Sequence, residues 1–193
     1  PCEVIRDDEM VFMDQHIPRF EKIDAQTALI AQKYNITKGE VALGYETFAA
    51  QMCAQISRFE FVTFDYGDRA SRGDFSLRVY ASHQVYPFFA LTHFVKDAEL
   101  KITDVSLADL FAKSDITYDV NFEHLIGAFE DAGASLHEYS SHMKALVSFG
   151  LIELLDMMQK NSTEEQYKCQ VNRIKTLIDP AFMGERFKMV SFR

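Results

Sequence analysis

Apolar positions along the chain recur at two spacings, one near 3.6 residues and one near two, and the points where one yields to the other predict the elements. Residues 2–13 hold two short extended runs, Cys2-Glu3-Val4-Ile5 and Met10-Val11-Phe12-Met13, around the charged turn Asp7-Asp8-Glu9, a hairpin pattern. After Pro18, residues 24–34 read as a helix with Ala28, Leu29 and Ala31 on its buried side, ending near Asn35. Thr37-Lys38-Gly39-Glu40 has the form of a capping box. Val41, Tyr45, Phe48, Met52 and Ile56 follow at spacings of 4, 3, 4 and 4, an amphipathic helix whose Phe and Met stripe belongs to a core. Residues 59–64, Phe-Glu-Phe-Val-Thr-Phe, are too short for a helix and rich in strand formers. They predict a central parallel strand stopped by a turn at Asp65-Tyr66-Gly67-Asp68.

The pattern loosens over residues 69–119, where Pro87 sits among aromatics and a short helical piece spans 106–112, so a long, partly irregular excursion is expected. Order returns with Asn121 as an N-cap, Phe122, Leu125, Ile126 and Phe129 as an apolar face, and Gly133 as the stop. Residues 134–139 predict a strand. Helices follow over 142–160, broken near Gly150, and over 163–178, where Ser162 and Glu165 form a second capping box and Tyr167, Val171, Ile174 and Ile178 a stripe. Residues 186–192 predict a closing strand. No repeat or Pro/Gly/Ser-rich linker divides the chain, so the expectation is one α/β domain over 1–193, with residues 142–178 a helical insertion between the last two strands.

Composition changes this picture little: 193 residues, 48% hydrophobic, with 17 Phe and no Trp, suit a packed core rather than a disordered chain. A net charge of −9 disfavours a phosphate-tracking surface, hence nucleic acid, and suits a basic partner. No apolar run reaches a membrane span, and a cytoplasmic protein is expected. Cys2, Cys53 and Cys169 form neither a disulfide framework nor a CxxC pair. The chain opens Pro1-Cys2-Glu3 without methionine, which points to an upstream segment removed or left out.

Several chemistries drop out. The eight glycines are never two apart, so no dinucleotide fingerprint exists. Gly39 and Gly44 have Walker A spacing, but Tyr45-Glu46 stands where Lys and Ser/Thr are required. HExxH, GxSxG and EF-hand patterns are missing, and no metal is expected. Three clusters remain. Asp65, Tyr66 and Gly67 would stand at a strand's carboxyl end, where α/β sheets present ligand groups, and equally suit an ordinary turn. Arg78, Tyr80 and His83 offer a fixed cation, a phenol and an imidazole, or a loop with incidental polar residues. Asp115, Thr117, Tyr118 and Asp119 put two carboxylates, a hydroxyl and a phenol ahead of a helix that Asp119 or Asn121 could simply cap.

Taken in order, Phe61-Val62-Thr63-Phe64-Asp65-Tyr66-Gly67, Ser76-Leu77-Arg78-Val79-Tyr80 with His83, Asp115-Ile116-Thr117-Tyr118-Asp119-Val120-Asn121-Phe122, and Met183-Gly184-Glu185-Arg186-Phe187-Lys188 resemble the C-terminal half of the MidA-type S-adenosylmethionine-dependent methyltransferases. That family includes a mitochondrial complex I assembly factor that methylates a protein arginine. The resemblance implies a class I, Rossmann-like methyltransferase sheet with an antiparallel terminal hairpin, residues 59–64 being its fifth strand, 134–139 its sixth and 186–192 its seventh. It implies S-adenosylmethionine as cofactor of an intact parent, bound by a glycine-rich loop upstream of Pro1. The 193 residues alone are then expected to be inactive. It also implies transfer of methyl to a protein arginine, with Asp65, Asp115 and Asp119 binding the guanidinium. Tyr66, Gly67, Arg78, Tyr80 and Thr117 would line the acceptor site, and His83 would serve as a proton acceptor. Two other classes stay open: a non-catalytic assembly module, and a small-molecule methyltransferase using the aromatic stretch Tyr86-Pro87-Phe88-Phe89.

Overall fold

The computed structural model describes residues 25–81, 84–88 and 114–193. The expected hairpin over 2–13, the helix over 106–112 and His83 lie outside these. The chain sorts into two units, Gly44–Arg69 with Val120–Arg193, and Pro1–Leu43 with Ala70–Asp119.

In the first of these units four strands run in the order β5-β1-β7-β6. β1 (Phe61–Asp68) lies antiparallel to β7 (Phe187–Phe192), from Phe61 opposite Phe192 to Tyr66 opposite Phe187. β5 (Val120–Asn121) joins β1 in parallel through Gly67 and Asp68. β6 (Leu136–Ser141) covers the far edge of β7, antiparallel, with an irregularity between Leu136 and Glu138. The strand expected over 59–64 therefore continues through Asp65, Tyr66 and Gly67, because β7 supplies ladder partners as far as Tyr66 and β5 takes over at Gly67. The turn expected there is instead paired strand, and β1 is parallel to its neighbour only along the β5 contact.

Side-chain alternation gives this sheet two apolar faces. Phe61, Val190 and Phe192 meet Ala49 of α2 (Tyr45–Gln55) and Phe122, Leu125, Ile126 and Phe129 of α3 (Phe122–Asp131) in one buried cluster. The rings of Phe61 and Phe192 stack on Phe129 at 5.3 and 4.2 Å. Each such side chain contributes about 1.5–3 kcal/mol by leaving water. Asn121 caps α3 as expected, its Oδ1 accepting from the His124 amide at 3.2 Å. Phe64 and Phe187 pack edge-on and tilted against the buried imidazole of His142, at the start of α4 (His142–Ser148). Gly150, at φ 91°, then breaks the helical run before α5 (Leu151–Asn161), as its position predicts. α6 (Glu164–Ile178) and the single turn α7 (Met183–Arg186) lead back to β7. α6 is capped by Thr163 and Gln166, one residue later than expected. α5 and α6 bury no residue fully, and Phe149, Ile152, Leu154 and Met157 stay exposed.

α2 begins at Tyr45, four residues after the expected start, since Glu40 is engaged elsewhere.

The other unit holds α1 (Ala25–Lys33), which buries Thr27, Ile30 and Ala31. Ala28 and Leu29 face solvent, because the set 27, 30, 31 follows the helical period and 28, 29, 31 does not. The expected irregular excursion contains a three-stranded antiparallel sheet, β3 (Gln84–Pro87), β2 (Arg78–Ala81) and β4 (Asp115–Thr117) in that order, around a fully buried Val79. Arg78 stands opposite Pro87 on one side and Thr117 on the other, and Tyr80 opposite Asp115. None of the described helices is long and apolar enough to cross a membrane.

Candidate functional site

The β2–β4 sheet brings together most of the residues singled out in the sequence. Arg78 projects from β2 into a set of acceptors: Nη2 lies 2.7 Å from Asp119 Oδ1, Nε donates to the Tyr80 hydroxyl at 3.1 Å, and Nη1 donates to the Ser76 carbonyl at 3.1 Å. Both Arg78 and Asp119 side chains are 12% exposed. Burial alone would lower the Arg78 pKa, and the bonds to Asp119 and Tyr80 outweigh it, so the guanidinium is held still more firmly charged. The second oxygen of Asp119 takes Nη1 of Arg72, whose side chain is 55% exposed. One carboxylate thus sits between two guanidiniums, one fixed and one on the surface.

Thr117 Oγ1, across the β2–β4 ladder from Arg78, is buried and has no hydrogen-bond partner among the described residues. Asp115 is exposed at the other end of β4 and enters no ion pair among them.

The segment leading into β2 is anchored by Glu40, a residue whose role the sequence disguises. Its Oε1 accepts from the Ser76 and Leu77 amides, each at 2.7 Å, and its Oε2 accepts from the Ser76 hydroxyl at 3.1 Å. The same hydroxyl accepts from the Asp119 amide at 2.8 Å. Ser76, 9% exposed, therefore links Glu40 to the backbone of Asp119 and, through its carbonyl, to Arg78. Just beside it, Lys38 pairs with Asp74 at 2.6 Å, and this bond, with that of the Phe75 amide, lowers the Asp74 pKa. In the sequence, Glu40 passes for a capping-box residue. The signal against that reading is Gly39 within the box and Gly44 just after it, both poor helix formers.

Asp65, Tyr66 and Gly67 belong to the other unit. Asp65 Oδ1 accepts from the Tyr66 amide at 2.8 Å, and the carboxylate enters no ion pair among the described residues. Tyr66 sets its ring edge-on against Phe187 at 5.3 Å. Gly67, at φ 153°, owes its identity to a neighbour in the chain: a Cβ there would lie 2.1 Å from the Val120 carbonyl oxygen. The close backbone approach that a glycine permits is thus taken by β5. At the strand end, Lys188 Nζ lies 3.9 Å from Asp68, and just beyond it Arg69 pairs with Glu123 at 3.0 Å while lying over the Tyr139 ring. Burial, reinforced by the nearby Asp68 carboxylate, pushes the Tyr139 phenol up to about 12. No three His, Cys, Asp or Glu side chains among the described residues are grouped to hold a metal.

No family model matches the sequence, and no curated protein does. Solved structures do match. One is an uncharacterised COG1565 superfamily protein from Burkholderia thailandensis, with a TM-score of 0.69 at 22% identity over 93% of this chain and 46% of that one. Another, from the same organism, is a COG1565 superfamily member provisionally described as a methyl transferase and bound to S-adenosyl-homocysteine, with a TM-score of 0.68 at 22% identity over 93% of this chain and 45% of that one. The fold is accordingly of the α/β, Rossmann-like class those structures define, with β7 antiparallel between β1 and β6. The chain spans about half the length of these neighbours.

Proposed function

We propose that the chain contributes to an S-adenosylmethionine-dependent methyltransferase of the MidA type that methylates a protein arginine. The observation that carries this reading is the fold likeness, over 93% of the chain, to a structure bound to S-adenosyl-homocysteine. The cofactor supplies the methyl group. The described residues offer no glycine-rich loop at a strand end to receive it, so the role proposed for them lies on the acceptor side.

Transfer requires the acceptor nitrogen to be aligned with the methyl carbon and the positive charge beside it to be matched. Asp65 and Asp115, carboxylates not consumed by ion pairs among the described residues, suit a guanidinium. Asp119 suits one through the oxygen that Arg72 now holds. Tyr80 and Thr117, on the same small sheet, would shape the pocket beside it, and Arg78 would keep Asp119 oriented. The proton shed by the methylated nitrogen would pass to His83. A net charge of −9 favours a basic protein as substrate.

The test, made on the chain joined to an upstream half that carries the cofactor loop, is calorimetric titration of S-adenosyl-homocysteine, followed by labelled methyl transfer to an arginine-containing peptide library. Binding, with label on arginine that Asp65→Asn abolishes, is the expected result. No binding by a folded protein sinks the enzyme reading. Label on small molecules alone redirects it to a different acceptor. A second reading, an assembly module, is favoured by one feature, the exposed Phe149, Ile152, Leu154 and Met157, and would leave both assays blank.

A further inference from the structure

Asp119 carries two guanidiniums of very different standing. Arg78 is 12% exposed and tied by further bonds to Tyr80 and Ser76, so it is part of the framework. Arg72 is 55% exposed, and among the described residues its one ion pair is the contact to Asp119 Oδ2. It lies between Ser71 and Gly73 in a segment without helix or strand. The carboxylate itself is pinned from behind, by the Ser76 hydroxyl on its own backbone amide and by Arg78 on Oδ1, so it stays in place whether or not Arg72 does.

We infer that Arg72 is a displaceable internal occupant of a guanidinium site on Asp119 Oδ2, and that it competes there with an arginine side chain brought by a substrate protein. The inference rests on the arginine-acceptor reading above, which it deepens. The physical basis is asymmetry. Losing an exposed ion pair costs little, because water and counter-ions replace it, whereas the position it leaves is a partly buried carboxylate already oriented for a planar fork of N–H donors. An incoming guanidinium exchanges one such pair for another and leaves the Arg78 contacts untouched. Arg72 would then hold the site closed to weaker cations such as lysine and yield to a ligand with further contacts of its own.

The experiment is a titration of acetyl-arginine-methylamide, followed by the Arg78 Nε–H resonance, into the full chain and into Arg72→Ala and Arg72→Lys. Removing the occupant should tighten binding by about two- to fivefold, the range expected for an exposed ion pair, while Arg72→Lys should stay near the parent value. The neutral isostere acetyl-citrulline-methylamide should bind none of the three. Equal affinity of the parent and Arg72→Ala, binding of the citrulline analogue, or no arginine binding to any of them overturns the inference. The readout needs neither cofactor nor turnover. If the chain shows the Arg72 effect while the protein extended by the cofactor-binding half fails the methyl-transfer assay, the enzyme reading is refuted and this site is left standing.

Discussion

Gly67 and Tyr139 show how single residues are constrained by what lies against them. A methyl group at position 67 would sit 2.1 Å from the Val120 carbonyl oxygen, and the φ of 153° is one that side-chain-bearing residues rarely adopt. Gly67→Ala should therefore destabilise the protein by about 3 kcal/mol or more, read from urea unfolding, by pushing β5 away from β1. A loss below about 1 kcal/mol would mean the two strands part without cost. For Tyr139 the sign follows from linkage. An unfolded tyrosine ionises near 10, and the folded one at about 12. Between those values the unfolded chain has given up a proton that the folded chain keeps, so stability is full below pH 10 and falls as pH rises towards 12. Unfolding free energies across that window should decline, and Tyr139→Phe should flatten the decline.

At the scale of elements, the capping signals show what could and could not be read ahead of the structure. Ser162-Thr163-Glu164-Glu165-Gln166 satisfies the box in two registers, and the geometry selects Thr163 with Gln166. The local pattern is degenerate, so a one-residue error was unavoidable. Thr37 and Glu40 match the same pattern, yet the Glu40 carboxylate is taken by amides 36 and 37 residues further on. A long-range claim on a side chain leaves no mark in its own neighbourhood. Periodicity served well where burial is one-sided, as in α3 and its Asn121 cap. It failed over residues 78–87 and 115–117, whose strands are too short to show alternation. Of the candidate residues, Arg78 and Asp119 stood out in the sequence but their pairing did not, and the roles of Arg72, Ser76 and Glu40 were hidden because their partners are distant. Glu40→Ala should cost about 3 kcal/mol, since two amides and a hydroxyl lose a charged acceptor together. It should also broaden the Arg78 Nε–H resonance. A sharp, unshifted signal would show that Ser76 holds its place without Glu40.

Taken as a whole, the molecule combines an acidic surface, with a net charge of −9, and a sheet whose pairing is almost entirely non-local. β7 is the last strand in chain order, yet it lies inside the sheet, bonded to β1 on one edge and β6 on the other. Phe61 finds its ladder partner in Phe192, across nearly the full span of that unit's two segments. Closing so long a loop costs entropy before any hydrogen bond repays it, and such topologies fold slowly. During synthesis on the ribosome, β1 and β6 must wait, each with an unsatisfied edge, until Phe187–Phe192 has cleared the exit tunnel. For that interval the nascent chain depends on whatever shields exposed strands in the cell, and a premature stop just before position 187 would release a protein whose helices are translated but whose inner strand β7 is missing.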